Sequence, residues 1–244
     1  MFKNLLALSL LTFFSLPLIK EEPIKVYLIG DSTMSVKRES TYPETGWGMP
    51  FVHFFDSTVV VDNRAQNGRS TRTFIDEGRW APVVDALQPG DYVFIQFGHN
   101  DEVPTKKSAT TEDQFKNYLK KYVADTRSKK AKPVLLTSMA RRKFDADGKI
   151  VGTHDVYAQL VRDVAKEANT PLIDMDRKSQ NLLQELGPEK SAFLFNHLKP
   201  GEHPNYPRGK IDDTHFNELG ARLLAQLVLA EIKALNLDLS SRIR

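Results

Sequence analysis

Short apolar runs of strand length alternate with helical stretches along this chain, and this alternation constrains its fold more than any other feature. Each run is rich in β-branched or aromatic residues and is flanked by turn-forming residues, which is typical of buried strands. The predicted strands are Ile24–Ile29, Thr58–Val61, Tyr92–Phe97, Pro133–Thr137 and Pro171–Ile173. The predicted helices, with apolar residues three and four positions apart, are Trp80–Leu87, Asp113–Lys130, Asp155–Ala168 and Leu219–Leu235.

Strands that alternate with helices are joined by right-handed crossovers, so this pattern predicts a central parallel sheet of five strands with helices on both faces. The length of 244 residues suits one α/β domain of this kind. No repeat or linker divides residues 21–244, which we expect to form a single domain. In such a sheet a functional site belongs at the carboxyl ends of the strands.

The first 20 residues are typical of a signal peptide. Lys3 supplies the positive charge, and the apolar stretch from Leu5 to Leu16 has the length of a signal-peptide core. This stretch is shorter than the roughly 20 apolar residues that span a bilayer. The pattern predicts export to the periplasm or the medium and no stable membrane span in the mature chain; an uncleaved interfacial helix is the alternative.

Charge and cysteine content exclude several functions. The formal net charge of +3 includes Lys3 and Lys20, so the mature chain would be close to neutral, and no nucleic-acid partner is expected. The absence of cysteine excludes disulfides, thiolate metal sites and a cysteine nucleophile. None of the histidines has the spacing of a metal-binding motif, so no metal site is expected.

Two short segments carry the residue types of a serine hydrolase. Ser32 follows the first predicted strand in the sequence Gly-Asp-Ser-Thr, where its hydroxyl would face the site and its N–H would point toward an oxyanion. His215 precedes the last helix, and Asp212, three residues earlier, could fix its tautomer so that it accepts the serine proton. Asp213 is the competing acid. The alternatives are a helix cap at Ser32 and a helix N-terminus favoured by acids at the second segment.

Two further loops could supply an oxyanion hole, which needs convergent N–H donors. Gly68 lies in the loop after the second predicted strand and could present its backbone N–H. Asn100 follows the third strand and could present its side-chain amide. An ordinary turn at Gly68 and an Asx-turn at Asn100 are the alternatives. Because these segments fall together at the predicted carboxyl edge of the sheet, they favour a functional site there.

These segments together resemble the SGNH/GDSL hydrolases, which are named for a serine, a glycine, an asparagine and a histidine in separate blocks. The blocks here read IGDST, NRAQNGRST, FGHND and DDTHFNELGA, in order, from Gly30 to Ala221. The resemblance implies a flavodoxin-like three-layer α/β/α sandwich and no cofactor. It implies Ser32 as nucleophile, His215 as base and Asp212 as orienting acid, with Ser32, Gly68 and Asn100 as oxyanion donors.

Within this family, the residues of the blocks are most similar to those of the rhamnogalacturonan acetylesterases and related carbohydrate esterases of family 12. That resemblance implies a serine acetylesterase acting on acetylated plant polysaccharide, with pectin or rhamnogalacturonan as substrate. A lysophospholipase or thioesterase of the same fold is the alternative enzyme, and it would need an extended apolar groove. A non-catalytic carbohydrate-binding domain is the alternative of another class.

Residues near the blocks could contact such a substrate. Arg69 and Arg72 could bind a uronate carboxylate, or could pair with Asp76 and Glu77 as structural ion pairs. His99, His203 and Trp47 are further candidates, although histidines in loops and buried tryptophans are commonly structural. Trp47 lies in a Gly-Trp-Gly segment that we expect to pack beside the first block. Arg141, Arg142 and Lys143 are predicted to form a solvated face.

Overall fold

The computed structural model describes residues 23–244, which form a five-stranded parallel sheet between two layers of helices. The strands are β1 (Ile24–Gly30), β2 (Val59–Asn63), β3 (Tyr92–Gln96), β4 (Lys132–Leu136) and β5 (Leu172–Ile173). Their order, β2-β1-β3-β4-β5, is the flavodoxin-like order. The predicted three-layer sandwich is therefore confirmed. The predicted signal peptide lies outside the described residues.

Successive residues of each strand point to opposite faces, so the sheet divides the core into two clusters. Val26 and Leu28 face one helical layer, and Tyr27 and Ile29 face the other. The first layer contains α1 (Gly48–Phe51), α6 (Met175–Ser191) and α7 (Glu218–Ala234). The second contains α2 (Thr71–Asp76), α3 (Ala81–Ala86), α4 (Glu112–Ser128) and α5 (Asp155–Glu167). Among residues 23–244, every helix is too short or too polar to cross a bilayer.

The register of the sheet brings three strand ends to the same edge. Leu28 of β1 lies opposite Asn63 of β2, and Gly30 lies opposite Gln96 of β3. The loops that follow these strands carry the first three sequence blocks. They therefore emerge side by side at the carboxyl edge, as the topology rule requires.

Three helices, α1, α2 and α6, were not predicted from the sequence, and α1 has only four residues. Helix α6 contains Gly187, with a φ of 70°, followed by Pro188, so it is two helical segments joined at a kink and its apolar periodicity is weak. Helix α2 has six residues, too few to show a period. Its only local signal is the capping box in which Ser70 and Thr73 bond each other's backbone N–H.

Candidate active site

Ser32, Asp212 and His215 meet at the carboxyl edge of the sheet, although 183 positions separate the serine from the histidine. Ser32 Oγ lies 3.0 Å from His215 Nε2. His215 Nδ1 lies 2.9 Å from Asp212 Oδ2. The imidazole thus joins the hydroxyl to the carboxylate, which is the geometry that lets a histidine take a serine proton.

The Asp212 carboxylate is held by its own loop. Its Oδ1 accepts the backbone N–H groups of Thr214 and His215, each at 2.9 Å. Burial opposes ionisation of this half-buried group, but the hydrogen bonds and charge of His215 hold the pKa of Asp212 well below its ordinary value. The group is therefore ionised at neutral pH and can stabilise the His215 ring once the ring is protonated.

Asp213, the competing acid, is held by other partners. Its Oδ1 lies 2.8 Å from His197 Nε2 and accepts a hydrogen bond from Arg142 Nη1 at 2.9 Å. Of the two candidate acids, the structure brings Asp212, which the three-residue spacing favoured, to His215.

The start of α7 fixes the loop that carries His215. Asn217 caps this helix, because its Oδ1 accepts the backbone N–H of Gly220 at 3.1 Å. Its Nδ2 donates to the carbonyl groups of Phe193 and Phe195 at 2.8 and 3.0 Å. The helix cap and the histidine are therefore anchored to one neighbouring segment.

A chain of buried hydrogen bonds fixes the turn around Ser32. A Cβ on Gly30 would lie 2.5 Å from the carbonyl oxygen of Gln96, so only glycine fits where β1 ends. Trp47 Nε1 donates to Gln96 Oε1 at 2.8 Å, and Gln96 Nε2 donates to Thr33 Oγ1 at 2.7 Å. The Thr33 hydroxyl donates in turn to Asp31 Oδ1 at 2.9 Å. The turn is thus tied to β3 and to the segment before α1.

The predicted oxyanion donors line the same cleft as Ser32, which has a volume of about 390 Å³. Gly68 has a φ of +77°, a backbone conformation that favours glycine. Asn100 Nδ2 donates to the carbonyl of Arg69 at 3.0 Å, and Asn100 Oδ1 accepts from Lys106 Nζ at 2.8 Å. An amide carries two N–H donors, so the second is available to a ligand in the cleft.

Beneath the cleft, a buried ammonium group links the turn around Ser32 to the loop that carries Gly68. The Lys37 side chain is only 1% exposed. Its Nζ lies 2.6 Å from the carbonyl oxygen of Ser32, 3.0 Å from Asn67 Oδ1 and 2.8 Å from Glu44 Oε1. Asn67 directly precedes Gly68, so one cation holds both loops.

The ion pair of Lys37 is linked through Lys210 to the carboxylate of Asp212. Lys210 Nζ lies 3.4 Å from Glu44 Oε2 and 3.2 Å from Asp212 Oδ2, so positive and negative groups alternate. Burial opposes ionisation of Glu44, but the charge and hydrogen bond of Lys37 hold the pKa of Glu44 below its ordinary value. Glu44, Asp212 and His215 also lie close enough together to ligate one metal ion. The two lysines already neutralise these carboxylates.

His99 lines the cleft but lacks the partners of a base. It is 3% exposed, and within residues 23–244 neither ring nitrogen has a hydrogen-bond partner. Burial, and then the neighbouring His154, hold the pKa of His99 well below its ordinary value, so the ring is neutral. His154 packs edge-on against it, with ring centroids 4.2 Å apart, and pairs through Nδ1 with Glu102.

The predicted arginines form ion pairs outside the cleft. Arg69 Nε donates to Glu77 Oε2 at 2.8 Å, and Arg72 Nη1 donates to Asp76 Oδ2 at 3.3 Å. Arg72 also donates to the carbonyl of Lys107. Neither side chain belongs to the cleft lining. The structure therefore supports the ion-pair alternative for both arginines.

Trp47 and His203 do not reach the cleft. Trp47 has no exposed surface, which supports core packing over contact with a substrate. Its backbone N–H donates to the carbonyl of Thr33 at 2.9 Å, which confirms that it packs beside the first block. His203 lines a separate hollow of about 500 Å³ with Tyr42 and Arg222.

Three cationic residues of the site were missed from the sequence. Lys37 lies beneath the cleft, and Lys106 and Arg141 line it. No sequence spacing marks Lys37. Arg141 follows the end of β4, so the rule that sites form at strand ends could have singled it out from the predicted solvated face.

Residues 28–223 match the model of the GDSL-like Lipase/Acylhydrolase family. The chain belongs to this family. It is 41% identical over 225 residues to the rhamnogalacturonan acetylesterase RhgT of Bacillus subtilis, covering 91% of this chain and 95% of that protein. It is 27% identical over 228 residues to a rhamnogalacturonan acetylesterase of Emericella nidulans, covering 85% and 84% of the two chains.

Two solved structures share this architecture. The Bacillus subtilis protein YxiM superposes with a TM-score of 0.77 and 28% identity, covering 88% of this chain and 58% of that one. The acetylxylan esterase Axe2 of Geobacillus stearothermophilus superposes with a TM-score of 0.62 and 22% identity, covering 86% and 94%. The second likeness concerns the fold alone.

Proposed function

We propose that this protein is a serine esterase that removes O-acetyl groups from plant cell-wall polysaccharide, with rhamnogalacturonan as the first substrate to test. The observation that carries this proposal is the hydrogen-bonded line from Ser32 through His215 to Asp212, which opens on a cleft with amide donors. Two relatives that the chain matches over most of its length are rhamnogalacturonan acetylesterases by name.

The proposed reaction has two acyl-transfer steps. His215 takes the proton of Ser32 as the serine oxygen attacks the acetyl carbonyl, and Asp212 stabilises the resulting imidazolium. The N–H groups of Ser32 and Gly68 and the side chain of Asn100 hold the oxyanion. The sugar hydroxyl leaves with the proton from His215. Water then attacks the acetyl-serine by the same route and releases acetate.

The lining of the cleft favours a short acyl group on a polar alcohol. Besides the reacting groups, the cleft is lined mainly by charged and polar side chains, among them Glu44, Asn67, Lys106, Arg141 and Thr214. A lysophospholipase or thioesterase must bury a long acyl chain, which needs apolar surface. A carbohydrate, in contrast, presents many hydroxyl groups to such donors and acceptors.

The proposed cellular location of the protein rests on its proposed substrate and on the predicted signal peptide. We propose that residues 1–20 are a signal peptide and that residues 21–244 act as one exported domain, because plant polysaccharides are met outside the cell. Sequencing the N-terminus of the protein recovered from the medium and the periplasm tests this. A mature chain that retains Lys3 in the cytoplasm would refute it.

The test of the activity compares Ser32→Ala with Ser57→Ala, an exposed serine in the turn before β2. On a chromogenic acetyl ester we expect Ser32→Ala to lose at least about 10³-fold in kcat with an unchanged circular-dichroism spectrum. Ser57→Ala should retain turnover. Near-normal activity of Ser32→Ala would remove the nucleophile assignment.

A second measurement separates the alternative functions. Acetate release from acetylated pectin, acetylated xylan and simple acetylated sugars identifies the carbohydrate, and a chromogenic series from acetate to octanoate identifies the acyl group. Preference for octanoate would favour the lipid-directed enzyme. Binding to acetylated pectin without release of acetate would favour a non-catalytic domain.

A further inference from the structure

Two cationic side chains line the catalytic cleft itself, and they are not those of the arginine-rich second block. Lys106 and Arg141 border the cleft together with Ser32 and His215. Arg69 and Arg72, which the sequence singled out, are engaged elsewhere by Glu77 and Asp76. Anion recognition near the scissile ester would therefore fall to Lys106 and Arg141.

Arg141 is held beside the base but keeps free donors. Its Nη1 donates to Thr214 Oγ1 at 3.1 Å, and Thr214 directly precedes His215. Its Nη2 lies 3.4 Å from Glu102 Oε1, a long contact, and Glu102 is shared with His154 Nδ1 at 2.8 Å. A guanidinium has five N–H donors, so several remain for a ligand, and its planar fork matches a carboxylate.

Lys106 brings a second positive charge to the same cleft. It is exposed, and its Nζ donates to Asn100 Oδ1 at 2.8 Å. Within residues 23–244, no carboxylate lies within ion-pair distance of this ammonium. An ammonium has three donors, and a cation without a counter-charge in a cleft attracts anionic ligands.

We propose that Arg141 and Lys106 form a carboxylate-binding subsite for a uronate of the ester-bearing sugar chain. Arg141 contacts Thr214, which directly precedes the base His215, and Lys106 contacts Asn100, which belongs to the proposed oxyanion hole. A carboxylate bound by the two cations would therefore lie next to the acetyl group under attack. The inference rests on the proposed function and deepens it, since it selects acidic over neutral acetylated polysaccharides.

The test centres on Arg141→Gln, because Glu102 keeps His154 as a partner when the guanidinium is removed. In this variant, the ratio of kcat/KM for an acetylated galacturonide to kcat/KM for an acetylated neutral xyloside should fall by about tenfold or more. Loss of a hydrogen bond to a charged group has an effect of that size. Arg64→Gln is the matched control. It removes the same charge from an exposed arginine paired with Asp62, outside the cleft, and should leave the ratio unchanged.

A second experiment tests binding at the proposed subsite without a polysaccharide substrate. Galacturonate should inhibit hydrolysis of a neutral chromogenic acetyl ester more strongly than galactose does, and Arg141→Gln should abolish the difference. Equal inhibition by the two sugars in the parent protein, or an Arg141→Gln ratio equal to that of Arg64→Gln, would overturn the subsite. Failure to deacetylate any carbohydrate would overturn the proposed function instead, and the inhibition arm would still decide the subsite.

Discussion

The contact between Lys106 and Asn100 leads to a specific prediction about the proposed oxyanion hole. Lys106 Nζ holds Asn100 Oδ1 at 2.8 Å, while Asn100 Nδ2 is held by the carbonyl of Arg69 at 3.0 Å. The two contacts fix which end of the amide faces the cleft. Lys106 should therefore act through Asn100, as a positioning residue, when the ester has no carboxylate.

The expected magnitudes follow from these contacts. Loss of one oxyanion donor costs about 10²–10³ in kcat, so Asn100→Ala should fall in that range. A hydrogen bond to a charged group is worth about 1.5–3 kcal/mol, and the exposure of Lys106 places it at the lower end. Because the Arg69 contact still holds the amide, Lys106→Met should lower kcat about tenfold and change KM little.

The assay is a double-mutant cycle on a neutral chromogenic acetyl ester, with Lys107→Met as the control. Once Asn100 is alanine, Lys106 has no amide to hold, so Lys106→Met should cost less than about twofold in that background. Lys107→Met should behave as the parent, since its side chain does not line the cleft. If the two single losses multiply instead, Lys106 does not act through Asn100 and this reasoning is wrong.

Two further predictions concern the acid of the triad and the buried histidine. Asp212→Asn should lower kcat by about 10⁴, as expected when the base loses the carboxylate that fixes its tautomer, whereas Asp213→Asn should stay within a few-fold; equal losses in steady-state assays would contradict the choice of Asp212. His99 has a folded-state pKa well below its ordinary value, so its contribution to stability is present above about pH 6.5 and is lost as the pH falls below that value. As the pH falls below 6.5, the parent should therefore lose unfolding free energy through this group, at no more than about 1.4 kcal/mol per pH unit, and His99→Gln should lose correspondingly less in urea titrations. Parallel slopes for parent and variant would rule out His99 as the titrating group.

The sequence predicted those parts of the structure that neighbouring residues decide. Each strand is a short apolar run between turn formers, so its position was found within a residue or two. The blocks around Ser32 and His215 were found because strand-end glycines and the acid three residues before the histidine are local patterns. Helix α6 was missed because Gly187 and Pro188 interrupt its period.

Of the site residues that were missed, only Arg141 lies where a sequence rule points, because the roles of Lys37 and Lys106 depend on how the fold brings their loops together. The contact of Lys106 with Asn100 spans few residues, but its importance depends on where β3 places the loop. From residue type alone, Arg141 is indistinguishable from a solvent-exposed arginine, because only the tertiary fold turns it toward Thr214. For Trp47 the choice between a substrate contact and core packing stayed open, because a sequence does not show whether an indole is buried.

The buried charges around Lys37 indicate how the site holds its geometry. Burying an ion pair adds little net stability, so the Lys37–Glu44 pair is poorly explained as a stabilising device. Its contacts are better explained by position, since the same ammonium holds the carbonyl of Ser32 and the side chain of Asn67. A misplacement of about 1 Å in such a site can cost about 10² in rate. Glu44 also pairs with Lys210, which pairs with Asp212. The turn around Ser32, the loop before Gly68 and the Asp212 carboxylate therefore share one network of alternating charge. A chain that kept all four sequence blocks but lost this network would keep the reacting groups without the contacts that align them.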